Sequence, residues 1–308
     1  MKLLIAFIFL TTLTSAQVTS SNWWQKELTK VNSENKEQVI ITPQSIFTDN
    51  WHNLPQTQFW KQIITLSPDS CLINVASDRK VLLKMSLTDW HKQTETQKQH
   101  FKDSLKTLYT LAIEEKINVT SGKNDFYKIR EVSPSIAEGI QEFNKHGVDP
   151  WYAQAILLIE SPAQLKKSIS GAYGAFQLMP TVARAYGLTV NSQTDERADF
   201  KKSAYGAAQL IQRACIPEAK HILNRHGIVY NESDLWFRLF VMHIYHAGAG
   251  NVSAVMNKIQ PKIGGQQLIQ QLWTTTAGSF GNNSQNYTQV ALATQIVLHE
   301  LHEVSIKN

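Results

Sequence analysis

Apolar residues recur along this chain with helical spacing, in short runs and in one long run, and each pattern predicts a different element. Between residues 90 and 116, Phe101, Leu105, Leu108, Tyr109 and Ala112 return at helical spacing with lysines between them. That pattern predicts an amphipathic helix. The short apolar runs at residues 71–76 and 81–87 read as strands. Ile117–Thr120 reads as a third strand, followed by a turn at Ser121-Gly122-Lys123-Asn124. Residues 61–130 therefore form a small α/β module, read as a packing or spacer unit without site chemistry. Upstream, residues 17–60 are polar, with scattered Trp23, Trp24, Trp51 and Trp60. Rich in Asn, Gln, Ser and Thr, they read as a loosely structured lead-in.

From about residue 131 the pattern becomes helical. Asp149-Pro150 is a strong start signal, with Asp as cap and Pro at the first helical position. The apolar run Trp151–Ile159 follows, and the helix ends at Glu160 because Pro162 pushes its predecessor out of the α region. Pro180 opens another helix and Gly187 closes it, and residues 200–213 form a third. Asp234 is read as the cap of the very apolar stretch Leu235–Tyr245, which breaks at Ala247-Gly248-Ala249-Gly250. Asn251 and Ser284 are read as caps of the two helices after it, the last running to about Glu303. The predicted class is α+β, with a mainly helical region over 131–308 behind the N-terminal region 17–130.

Composition adds little to this: 308 residues, 43% hydrophobic and 18% charged, suit one large domain or two small ones. The net charge of +5 is mild, compatible with an anionic polymer as partner and equally with solvated lysine faces. The N-terminus is more specific. Lys2, the apolar stretch Leu3–Leu10 and the small polar residues up to Ala16 read as a secretory signal cut after Ala16. No Cys follows it to anchor a lipid, and no later segment is apolar enough to cross a membrane, so a periplasmic or secreted protein is expected. The two cysteines, Cys71 and Cys215, could form a disulfide after export or remain buried thiols; spacing leaves both open. No metal-ligand cluster, cofactor motif or nucleic-acid partner is indicated.

Glu160 carries the candidate chemistry. A carboxyl at the exit of a buried helix meets two influences that disfavour its ionised form, burial and the negative end of the helix dipole. Both raise its pKa toward the range in which a Glu donates a proton near neutrality. Beyond it lie Ser168-Ile169-Ser170-Gly171-Ala172-Tyr173-Gly174-Ala175-Phe176-Gln177-Leu178-Met179-Pro180, then Ile244-Tyr245-His246-Ala247-Gly248-Ala249-Gly250-Asn251-Val252, then Asn286-Tyr287. Glycines 171 and 174 are read as letting the backbone approach a bound sugar chain closely.

In this order and spacing these blocks resemble the soluble lytic transglycosylase family, whose catalytic domain has a goose-type lysozyme fold. The resemblance covers residues 135–303. It implies cleavage of the β-1,4 bond between N-acetylmuramic acid and N-acetylglucosamine in peptidoglycan, with Glu160 as the single acid/base. It implies that Ser168, Gln177 and Met179 line the sugar groove, that Phe176 offers an apolar wall where the family usually has Met, and that Tyr245 orients the substrate, with Tyr287 beside it. The chain departs from the pattern in three places. His246 and Ala249 stand where the family has Asn and Pro, the linker from Glu160 to Ser168 is one residue shorter, and Asn283 takes the place of a substrate-contacting Glu. Two other readings remain open: a hydrolytic lysozyme or chitinase, for which Asp195 or Asp199 would hold the water, and a non-catalytic wall-binding protein.

Overall fold

The computed structural model describes residues 22–33, 36–160 and 167–307; the secretory-signal reading falls on residues 1–16, outside them. The chain opens with a short turn of helix at Trp23–Glu27 and an antiparallel hairpin, β1 (Leu28–Ser33) with β2 (Lys36–Ile41). Two helices follow, α1 (Ser45–Thr48) and α2 (Pro55–Thr65). Next comes the α/β module: β3 (Ser70–Val75), β4 (Val81–Ser86), α3 (Leu87–His91), α4 (Glu95–Leu108) and β5 (Ile117–Ser121). Its sheet has the order β4-β3-β5 and is antiparallel throughout.

The rest is helical: α5 (Ile129–Lys145), α6 (Trp151–Glu160), α7 (Pro180–Ala185), α8 (Phe200–Leu210), α9 (Ile216–Arg225), α10 (Leu235–Ala247), α11 (Ala249–Ile259), α12 (Gln266–Thr274) and α13 (Asn282–Lys307). A wide turn over Ile211–Cys215 joins α8 to α9 without a break. The strands agree with the sequence expectation to within a residue. The helix expected over 90–116 is shorter, because Thr110 takes a left-handed φ of 53° and ends it.

The lead-in reading of residues 17–60 is overturned. Ile40, Ile41, Ile46, Trp51, Phe59 and Trp60 are buried in the same core as α6, α10 and α13. The tie is polar as well as apolar. Buried Gln154 of α6 accepts from the backbone N–H of Ile41 at 2.9 Å and donates to its carbonyl at 2.7 Å, acting as a neighbouring strand would. A second, smaller core lies inside the module, around Cys71, Ile73, Trp90 and Leu105. Cys71 belongs to this small core and Cys215 to the large one, and both are free, buried thiols.

Asp234 holds the expected N-cap position of α10, but its carboxylate accepts from the indole N–H of Trp236 at 3.0 Å and makes no cap bond. Two other expected caps are corrected. Asn251 and Ser284 lie inside α11 and α13 rather than ahead of them. Asn251 serves elsewhere, donating to Ala247 O at 2.8 Å and accepting from Ser279 N at 3.1 Å. The Asp149 carboxylate does cap α6, accepting from Trp151 N at 3.0 Å.

Candidate active site

Every residue of α6 from Trp151 to Ile159 is buried, so the helix runs through the large core and delivers Glu160 at its exit. The residue as a whole is half-buried there. Three tyrosines surround it electrostatically: Tyr127, Tyr245 and Tyr287 each have a phenol pushed up by burial first and by the Glu160 charge second. Burial raises the Glu160 pKa to about 7, and the Tyr287 hydroxyl pulls it back in part. That hydroxyl lies beside the carboxyl but is buried with no partner at full hydrogen-bond geometry. Among the described residues no basic group and no second acid contributes to the Glu160 shift. At neutral pH the group is therefore divided between acid and carboxylate, which suits one residue that must first give and then take a proton.

The segment after it folds into a tight loop. Ser168 Oγ accepts from Ala172 N at 2.9 Å and pairs with Ser170 Oγ at 3.1 Å. Tyr173 and Leu178 face each other as an antiparallel bridge. Between them Gln177 sits at φ 47°, and its side-chain amide donates to Gly174 O at 3.0 Å. Met179 is 38% exposed. Phe176, expected to offer a wall to the sugar, is instead fully buried and stacked on Phe143 at 5.6 Å. Its carbonyl, not its ring, reaches the site, accepting a 2.6 Å hydrogen bond from the Tyr245 hydroxyl. That bond ties the loop to α10 beside Glu160.

The glycine reading is corrected too. A Cβ on Gly174 would stand 1.9 Å from the carbonyl oxygen of Arg197, so the missing side chain makes room for protein backbone rather than for sugar. Gly171 has open space around its Cβ position and is required by its φ of 91°.

Arg197 is a residue the motifs do not reveal. Its buried guanidinium donates to Gly171 O at 2.9 Å and Leu178 O at 2.8 Å, closing the two ends of the loop. It also pairs with Asp195 at 2.6 and 2.8 Å. The only signal in the sequence is an Arg two residues after an Asp, which is too common to stand out.

That pairing decides the fate of the two suspected water-holders. Arg197 holds the Asp195 carboxyl below its ordinary range. Asp199 caps α8, accepting from Lys202 N at 2.9 Å. Both carboxylates serve local structure. His246 packs against Tyr287, with ring centres 4.3 Å apart and ring planes tilted by 30°. Trp236 and Trp273, read as core residues, are buried.

A cleft of about 480 Å³ opens between α13 and the α/β module, and Ile159, the residue before Glu160, is part of its lining. Tyr127, Ile159 and Tyr287 line its inner end, and Asn282, Asn283 and Asn286 line the α13 wall. Arg79, from the β3–β4 turn, and Asn118, Val119 and Thr120 of β5 line the opposite side. The module, read from the sequence as a packing or spacer unit, also walls this cleft.

Residues 139–262 match the family model of the transglycosylase SLT domain. That stretch, from within α5 to just past α11, is therefore an SLT domain, lysozyme-like and of a class that acts on peptidoglycan. Tyr287 and the α13 wall of the cleft lie beyond the matched residues. No curated protein and no solved structure matches the chain.

Proposed function

We infer that this chain is an exported peptidoglycan lytic transglycosylase that cleaves between N-acetylmuramic acid and N-acetylglucosamine and leaves 1,6-anhydromuramic ends. The observation that carries the reading is a lone carboxyl, Glu160, with a pKa of about 7 and no second acid contributing to it. Glycosidases that rely on two protein carboxylates need the second as nucleophile or as base for water. Asp195 and Asp199 are committed elsewhere, so the substrate must supply what a second residue would.

The steps then balance as follows. Protonated Glu160 donates to the glycosidic oxygen, and the bond from that oxygen to C1 of the muramic sugar breaks. The 2-acetamido oxygen of the same sugar stabilises the cation developing at C1. Glu160, now a carboxylate, accepts the proton of the C6 hydroxyl while its oxygen bonds to C1. The acid is regenerated and no water is consumed. A pKa near the working pH serves both steps, since the group must be protonated for the first and ionised for the second. The Tyr245 hydroxyl, fixed on Phe176 O, and the Arg197-closed loop hold the groove wall in place around the reacting bond. The Lys2–Ala16 leader pattern supports export to the envelope, where this substrate lies.

Mass spectrometry of purified peptidoglycan digested with the mature protein tests the reading. Muropeptides one water lighter than their reducing counterparts are the expected product. Reducing ends would replace it with a lysozyme, and no products would leave a binding protein.

A further inference from the structure

The cleft beside Glu160 is unusual in its charge. Its lining contains Arg79 and Lys123 and not one Asp, Glu or His. Asn283, in the place where the resemblance leads one to expect a Glu, keeps the α13 wall neutral. Among the described residues neither Arg79 nor Lys123 pairs with a carboxylate. Arg79 is partly buried, and the loss of solvent around it lowers its pKa with no acid to compensate.

Its guanidinium is nevertheless held in place. One terminal nitrogen, Nη2, donates to Asn282 Oδ1 and to Asn286 Oδ1, each at 3.1 Å. The group lies 5.4 Å from the centre of the Phe59 ring. Among the described residues no acceptor pairs with its Nε or Nη1 hydrogens. The backbone that presents it is strained: Arg79 has φ 67°, the left-handed region that a non-glycine residue enters at a cost. The 26-residue α13 adds the positive end of its dipole to the same wall, through Asn282 and Asn283 in its first turn. A fixed, partly desolvated guanidinium with free donors, a second cation and a helix N-terminus together make a receptor for a carboxylate.

We propose that Arg79 and Lys123 bind a carboxylate of the peptide stem carried by the muramic sugar, so that the α/β module selects peptide-bearing strands for the acid at Glu160. The proposal rests on the peptidoglycan reading above. In that polymer the sugars are neutral, because the lactyl carboxyl is tied up in an amide, and the anionic groups belong to the stem. The module thus contributes a specificity determinant while taking no part in the chemistry.

The test is isothermal titration of the full mature chain carrying Glu160→Gln, so that the ligand is not consumed. Two probes are compared: an uncrosslinked disaccharide–tetrapeptide, and the same disaccharide with its lactyl carboxyl capped as the simple amide in place of the peptide, so that it carries no carboxylate. The parent is expected to prefer the peptide-bearing probe, and Arg79→Gln to weaken that probe about tenfold, the scale of one charge-assisted hydrogen bond. Lys123→Gln weakens it less, Arg79→Lys restores part of the loss, and the peptide-free probe is unaffected by all three. Equal weakening of both probes, with a lowered melting temperature, would reduce Arg79 to a structural residue and overturn the proposal, as would equal affinity of the parent for both probes. The parent reading is judged separately. Anhydro products from peptide-free glycan, with binding indifferent to Arg79, would leave the transglycosylase standing and the carboxylate site fallen. A peptide preference that depends on Arg79 in a chain that releases no anhydro products would do the reverse.

Discussion

Helix α6 carries a carboxyl at each end, and the two are managed in opposite ways. At its start, Asp149 is 5% exposed and lies 2.7 Å from the Nε of Arg238. Arg238 is itself fully buried, bonds Glu27 at 2.6 Å, and lies over the rings of Trp23 and Trp151. Burial pushes the Asp149 carboxyl up, and the guanidinium pulls it back. At the end of the helix Glu160 feels the same desolvation with only a tyrosine hydroxyl to oppose it, and its pKa stays near 7. Burial raises both carboxyls; what sets the two ends apart is the guanidinium that partly offsets it at Asp149, where Glu160 has no cation contributing. The dipole works in the same sense, favouring an anion at the start of α6 and disfavouring one at its end.

The largest expected effect breaks the chemical end alone. Glu160→Gln keeps the shape and removes the proton, and turnover should fall by at least about 10²-fold, the usual scale of a general acid. Muropeptide release by the purified variant measures it, and retained turnover would move the acid elsewhere. Next comes the structural end. Arg238→Met should leave Asp149 and Glu27 buried without their cation and cost about 3–5 kcal/mol of stability, the scale for removing one partner of a buried pair. Urea unfolding gives the value. A loss under about 1 kcal/mol would show that solvent reaches the trio.

The same contrast explains what the sequence made legible. The run Trp151–Ile159 and the pair Asp149-Pro150 sit next to one another in the chain, so α6, its cap and Glu160 could be read directly. Arg238, within the apolar stretch Leu235–Tyr245, gave no signal of its role because its partners stand 89 and 211 positions away. Gln154 hid the order of residues 22–65 for the same reason: its strand partner, Ile41, is 113 positions distant. Phe176 and Gly174 were assigned to the substrate because the motif marks positions without saying which atom faces the groove. One packs by its ring and bonds by its carbonyl, and the other answers to Arg197. Arg79 lay in an ordinary hairpin turn, and only the tertiary meeting with α13 gives it a role.

A third outcome concerns stability. Glu160 titrates at about 7 when folded and near 4.5 when unfolded. Between those values the folded state keeps a proton that the unfolded state has released, so stability falls as pH rises through this window and the loss is complete above about pH 7. Below about 4.5 both states are protonated and nothing is lost. The Gln variant has no such slope. It should gain on the parent by up to about 3 kcal/mol between pH 4 and pH 8. Melting temperatures at the two pH values check this, and parallel curves would mean that the carboxyl is solvated after all.

The smallest effect isolates the one group that opposes burial at Glu160. Tyr287→Phe removes the hydroxyl that favours the ionised form, while the ring keeps its place against His246. The Glu160 pKa should then rise further, by up to about one unit, which corresponds to one hydrogen bond to a charged group. The alkaline limb of the pH–rate profile should move up with it, because the acid stays protonated to higher pH. A profile that moves down would mean that Tyr287 stabilises the protonated acid. A profile that keeps its position while the rate drops uniformly would make Tyr287 a substrate contact that leaves the Glu160 proton untouched.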